Sequence, residues 1–236
     1  MESKKMYAEE YLKETENLFT EWKVRSNDYN PNRTSFISDG IMDPDTWFSL
    51  DQRILFVLKE AYTVNGSEDW DLARDHVLKD GVPSKKIWKR ISLWTKGILS
   101  PFGTFNECSD DSDLKYFGNQ YLHKIAAINI KKYNGNSSSD TEEILDYAAR
   151  EKDLIKKQIE LCDPTMIICG HTAKALNQVI DFGWEKHYNP NRFYHIPLNN
   201  HDLLILDFYH PSNQYPEIMN FYTLREIYNN AKTNQG

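Results

Sequence analysis

The chain has 236 residues, of which 40% are hydrophobic and 27% charged, with a net charge of −7. That balance excludes a disordered, collagen-like or disulfide-stapled chain, and a chain of this length buries a sizeable core. The acidic charge argues against a non-specific nucleic-acid coat but not against a local basic face. Cys108, Cys162 and Cys169 fit neither a zinc knuckle nor an iron–sulfur cluster, so they read as reduced thiols of a cytoplasmic protein.

In chain order, the opening MESKKMYAEEYLKETENLF predicts a charged helix rather than a signal peptide. Four short apolar runs follow: Ile54–Leu58, Ile125–Ile130, Met166–Cys169 and Leu203–Leu206. They are rich in branched residues and show little alternation, the pattern of parallel strands covered on both faces. Between them lie helical patterns. Ser84–Ile98 sets Ile87, Ile91, Trp94 and Ile98 against Lys85, Lys89 and Lys96. Thr141–Leu161 reads as one long helix, with Asp140 as N-cap and Glu143 completing a capping box. His171–Ile180 follows a strand–Gly junction, and Tyr215–Ala231 closes the chain. Tyr133–Asp140 is a polar loop.

Strand–helix alternation of this kind predicts an α/β fold, a three-layer α/β/α sandwich around a central four-stranded, mostly parallel sheet. The expectation is one domain over residues 1–236, with the N-terminal helix and the stretch between the first two strands as additions at the edge. No apolar run is long enough to cross a bilayer, no histidine pair has metal-site spacing, and no glycine-rich phosphate loop occurs. A cofactor-free, metal-free monomer is the expectation.

In such folds the functional groups gather at the C-terminal ends of the strands. After the first strand comes Lys59-Glu60-Ala61-Tyr62. The second ends at Asn129, followed by Lys131 and Lys132. The third is followed by Gly170-His171-Thr172, and the last by Asp207-Phe208-Tyr209-His210-Pro211-Ser212. A carboxylate, an amide and a histidine are thus expected on one rim.

In this order the motifs resemble those of the uracil-DNA glycosylase superfamily. His210-Pro211-Ser212 is similar to the start of the family's HPSPLS loop. Asn129 is similar to its pyrimidine-reading asparagine, and Glu60-Ala61-Tyr62 sits where many members have Asp-Pro-Tyr or Asn-Pro-Gly. The likeness covers most of Ile54–Pro216. It departs at Leu58 and Ala61, where the family has Gly and Pro, and at Gln214, where it has a wedge leucine.

The resemblance implies a DNA glycosylase that flips out a pyrimidine and hydrolyses its glycosidic bond. Glu60 would orient water and stabilise the cationic sugar, and His210 would donate to the base O2 as a neutral imidazole. Asn129 would read the base, and Tyr62 would wall the pocket. Phe102 or Phe105 would stack on the base. Lys131, Lys132 and Ser212 would meet the DNA backbone, with Gln214 and Tyr215 filling the gap left by the flipped nucleotide. Each has a plainer reading: a salt-bridged glutamate, a loop-tying asparagine, core aromatics, a solvated lysine pair. Lys59 offers the alternative of an amine nucleophile, and His171, at a helix start, that of an anion contact. The base is open between uracil and a modified pyrimidine, such as those of some phage genomes, which would make the protein a defence factor. A non-catalytic module of the same fold that binds nucleic acid or a nucleotide, and an unrelated small-molecule binder, are the other classes.

Overall fold

The structure is a computed structural model that describes residues 2–29, 35–61, 68–79, 85–100, 102–116, 118–135, 138–184 and 190–234. Its elements run α1 (Glu2–Tyr29), β1 (Ile37–Ser38), β2 (Gly40–Ile41), α2 (Pro44–Trp47), β3 (Ile54–Glu60) and β4 (Trp70–Asp71). A π-helical turn (Ala73–Val77), α3 (Lys86–Leu99), α4 (Phe105–Ser109) and β5 (Ile125–Lys131) follow. The remainder is α5 (Thr141–Arg150), α6 (Lys152–Cys162), β6 (Met166–Gly170), α7 (Ala173–Val179), β7 (Phe193–Leu198), β8 (His201–Phe208) and α8 (Glu217–Thr233).

All four predicted strands form, and they are the parallel centre of a sheet ordered β2-β5-β3-β6-β8-β7. Among the described residues the sheet therefore has six strands rather than four. The two extra strands are antiparallel edges: β2 on β5 and β7 on β8. β1 and β4 pair separately as a short parallel ribbon.

The β3 side chains alternate between two cores. Leu55 and Val57 join Ala126, Ile128, Ile167 and Ile205 under α1, α5, α6 and α7. Ile54, Phe56 and Leu58 join Ala127, Ile168, Leu206 and Phe208 under α3, α4 and α8. Both faces of the sheet are covered, which is why the central strands read as unbroken apolar runs. The architecture is the expected three-layer α/β/α sandwich.

Helix α1, expected as an edge addition, contributes Tyr11, Leu18, Phe19 and Trp22 to the first core. The long helix expected over Thr141–Leu161 breaks at Glu151 into α5 and α6. The break lets α5 pack on α7 and α6 on α1. Asp140 caps α5 by accepting from the amides of Glu142 and Glu143. The Glu143 carboxylate lies 2.8 Å from Lys131. Among the described residues, no helix is long and apolar enough to cross a membrane.

Candidate functional site

From β3 the chain crosses to β5 on one side, then returns past β3 to β6 on the other. Such a reversal opens a crevice beyond the carboxyl ends of the strands. A cavity of about 470 Å³ lies there. Leu58, Leu72, Trp70 and Trp88 form its apolar walls. Its polar lining includes Lys59, Glu60, His76, Lys85, Asn129, Ser139, His210 and Ser212. Glu60, Asn129, His210 and Ser212, all singled out in the sequence, meet at this one cavity.

Asn129 is buried within β5, opposite Leu58 of β3. Its backbone amide donates to Asp39 Oδ2 at 2.8 Å, and its side-chain amide donates to the same oxygen at 3.1 Å. The acceptor is a carboxylate, so the nitrogen end of the Asn129 amide faces Asp39. What is left for the cavity is the carbonyl oxygen and the second N–H.

His210 follows β8 in the loop that ends at α8. The Ser212 backbone N–H donates to His210 Nδ1 at 3.2 Å, and the Ser212 hydroxyl lies 2.6 Å from the same nitrogen. Nδ1 is thus the acceptor and the ring proton sits on Nε2. Burial, then the nearby Lys59 and His171, lower the His210 pKa from 6.5 to about 4. The imidazole is neutral at pH 7 and presents an Nε2–H donor. The hydroxyl hydrogen of Ser212 is given to His210, which leaves its oxygen as an acceptor rather than the phosphate donor expected.

Arg90 of α3 holds this loop. Its guanidinium donates to the carbonyls of Pro211 at 2.9 Å, Asn213 at 2.7 Å and Tyr215 at 2.7 Å. Asn220 adds bonds to Asn213 and to the Tyr215 carbonyl. Gln214 is exposed, and Tyr215 packs edge-on against Tyr209 with centroids 5.2 Å apart. Neither lines the cavity.

Glu60 borders the cavity, but its side chain is only 2% exposed and its carboxylate lies 3.0 Å from Lys131 Nζ. The acid packs so closely on Gly135 that a Cβ there would sit 2.2 Å from its carboxyl carbon. Lys131 also pairs with Glu143 at 2.8 Å. Lys132 is fully buried, 2.5 Å from Asp39 and 5.1 Å from the centre of the Trp22 ring. Lys131 and Lys132, expected on the DNA backbone, are therefore buried and paired with carboxylates.

The two phenylalanines are also placed elsewhere. Phe102 is buried, with ring centroids 5.1 Å from Phe221 and 5.7 Å from Tyr228. Phe105 packs on Phe221 at 5.7 Å. Phe102 lies in the core between α3, α4 and α8, Phe105 packs against it, and neither is among the residues that line the cavity. Among the described residues, the tryptophans Trp70 and Trp88 line the cavity. Tyr62 lies outside the described residues.

His171 has a positive φ of 60°, and its amide donates to the carbonyls of Cys169 and Phe208. That amide has no free donor for an anion. Lys59 and Lys85 give the cavity a cationic cast. Burial, then Lys85 and Lys79, lower the pKa of His76. Among the described residues no cluster of three or more His, Cys, Asp or Glu is placed to hold a metal ion.

The sequence reading missed Asp39, His76 and the two tryptophans. Asp39 stands alone before Gly40 in a stretch with no periodic pattern, and its partners come from β5 and α6. Trp88 was visible beside Ile87 on the predicted helix, though nothing in the spacing turned it toward a cavity.

Chemically, the arrangement offers a neutral N–H donor, an amide held in one orientation, two flanking cations and a sunken carboxylate. That set suits a ligand with a polar heterocyclic edge and a negative charge nearby. No family model matches the chain, and no curated protein sequence matches it.

Proposed function

We propose that the protein is a monofunctional DNA glycosylase that takes a flipped pyrimidine into the cavity and hydrolyses its N-glycosidic bond, leaving an abasic site. The observation that carries the reading is the meeting of Asn129 and His210 at one cavity, each held in a single hydrogen-bonding state by its neighbours. Asn129 pairs with the polar edge of the base. As the bond from the sugar C1′ to the base breaks, its electrons leave with the base, and His210 Nε2–H donates to the developing negative charge on O2. Glu60 supplies negative charge near the sugar as water adds to C1′, and the proton the water loses neutralises the departing base anion. Lys59 and Lys85 attract the flanking phosphates. The scheme needs no cofactor and is compatible with a cytoplasmic monomer.

The cavity volume supports a substituted pyrimidine as substrate. About 470 Å³ lies in the range of pockets that enclose drug-sized ligands, more than a bare ring fills. Hypermodified cytosines of phage DNA are bases of that class, and a defence role follows from that substrate.

The test is base release from DNAs containing uracil, mismatched, oxidised or modified pyrimidines, with alkali revealing abasic sites. Cleavage on one substrate, lost in His210→Ala and Glu60→Ala, supports the reading. Folded protein that cleaves none of the panel overturns it for those bases.

A second reading is favoured by the depth at which the Glu60 carboxylate is buried against Lys131. In that reading the protein binds a base or nucleotide without cutting it, and Glu60→Ala leaves binding nearly intact.

A further inference from the structure

We propose that Asp39 is a positioning residue that selects which class of base edge Asn129 accepts. The inference rests on the reading that Asn129 faces the base.

The Asp39 side chain is 0% exposed. Its Oδ2 takes both Asn129 bonds, while Oδ1 takes Lys132 Nζ at 2.5 Å and Gln158 Nε2 at 3.0 Å. Gln158 also donates to the Asp39 carbonyl at 2.9 Å. The carboxylate is thus held from β5, from the residue after it and from α6, and has no freedom to turn. On the chain's next residue, a Cβ at Gly40 would lie 2.4 Å from the Tyr11 hydroxyl, so α1 closes the same point.

A carboxylate only accepts hydrogen bonds. If the Asn129 amide flipped, its oxygen would face Asp39 Oδ2 in a buried site, two acceptors with no proton between them. Asn129 therefore presents its oxygen and its second N–H in one fixed order. A uracil-type edge places a donor, N3–H, beside an acceptor, O4. A cytosine-type edge places an acceptor, N3, beside a donor, the 4-amino group. The two edges ask for opposite orders. An amide free to flip reads both, whereas one locked by Asp39 reads only one.

The experiment measures kcat/KM for matched uracil-type and cytosine-type substrates, alike in size and sequence context. The wild type is compared with Asp39→Asn and Lys132→Gln. The asparagine variant keeps the shape but gains a donor that supports the flipped amide. The lysine variant removes the charge partner and keeps the acceptor. The ratio of the two substrates is independent of the fraction folded. The wild type is expected to favour one class by about tenfold or more. Asp39→Asn should narrow that ratio toward one or reverse it, and Lys132→Gln should keep it. A folded Asp39→Asn with the wild-type ratio overturns the proposal.

A second measurement stands apart from turnover and from the folding of any variant. In the ligand-free wild type, one of the two Asn129 side-chain amide protons, the one held by Asp39, should exchange slowly with solvent. Two fast-exchanging protons would overturn the positioning role. If no base is released but the amide is locked, the glycosylase reading fails while the orientation by Asp39 stands.

Discussion

Glu60 and Lys131 face each other across neighbouring parallel strands, in register, with their charges 3.0 Å apart and both side chains buried. The pair converts a residue read as a surface cation into the counter-charge of the candidate catalytic acid.

Removal of Lys131 should therefore act on stability. Lys131→Met leaves the Glu60 carboxylate buried without its counter-charge, and loss of one partner of a buried pair costs about 3–5 kcal/mol. Urea unfolding should show a loss of that order. A backbone-contact role would instead leave stability unchanged and lower the salt dependence of DNA binding by about one phosphate's worth.

His210 gives a signed pH dependence. Its native pKa of about 4 lies below the ordinary 6.5, so between these values the unfolded chain binds more protons than the native state. Its contribution to stability is whole above pH 6.5, declines as the pH falls, and is fully lost only below about 4. The same protonation puts a hydrogen on Nδ1 and breaks the bond from the Ser212 amide. His210→Gln should flatten this part of the stability profile between pH 7 and 4, which chemical unfolding at several pH values will show.

Phe102 should behave as a core residue. It fills the space over Gly97, where a Cβ would lie 2.6 Å from its ring, and packs on Phe221. Phe102→Ala should cost about 3–5 kcal/mol in stability. Substrate affinity of the protein that remains folded should be unchanged, as titration below the melting temperature will show. A loss of affinity without loss of stability would return Phe102 to the site.

Lys59 lines the cavity and offers an amine, yet the proposed route is direct hydrolysis. Borohydride trapping during turnover should yield no covalent protein–DNA adduct. An adduct that disappears in Lys59→Ala would replace water with the amine as nucleophile.

The central strands were legible because each is apolar on both faces, and burial on both faces leaves that mark. The strand β7 was not legible. It is an edge, half-exposed along most of its length, and Pro197 interrupts its pattern. The two residues of β2 are too few to carry a period. The break at Glu151 was hidden because both halves of Thr141–Leu161 keep an amphipathic pattern, and only the tertiary packing separates them, α5 lying mainly on α7 and α6 mainly on α1. At the site, Asn129, His210 and Ser212 were found from strand-end position. The fate of Lys131 and Lys132 was not, because their partners Glu60, Glu143 and Asp39 come from other segments. Adjacent lysines read as solvated charge unless those partners are known.

The three carbonyl bonds from Arg90 bear on who must bend. A loop riveted to α3 at Pro211, Asn213 and Tyr215 behaves as an anvil. On the proposed function, most of the deformation on binding falls on the nucleic acid, which must leave its stack and come to a surface that does not yield. Bases already loosened by a mismatch, a lesion or a bulky adduct require the least work to extract. The rigidity of that loop would then discriminate among DNA sites by their softness, before any atom of the base is read.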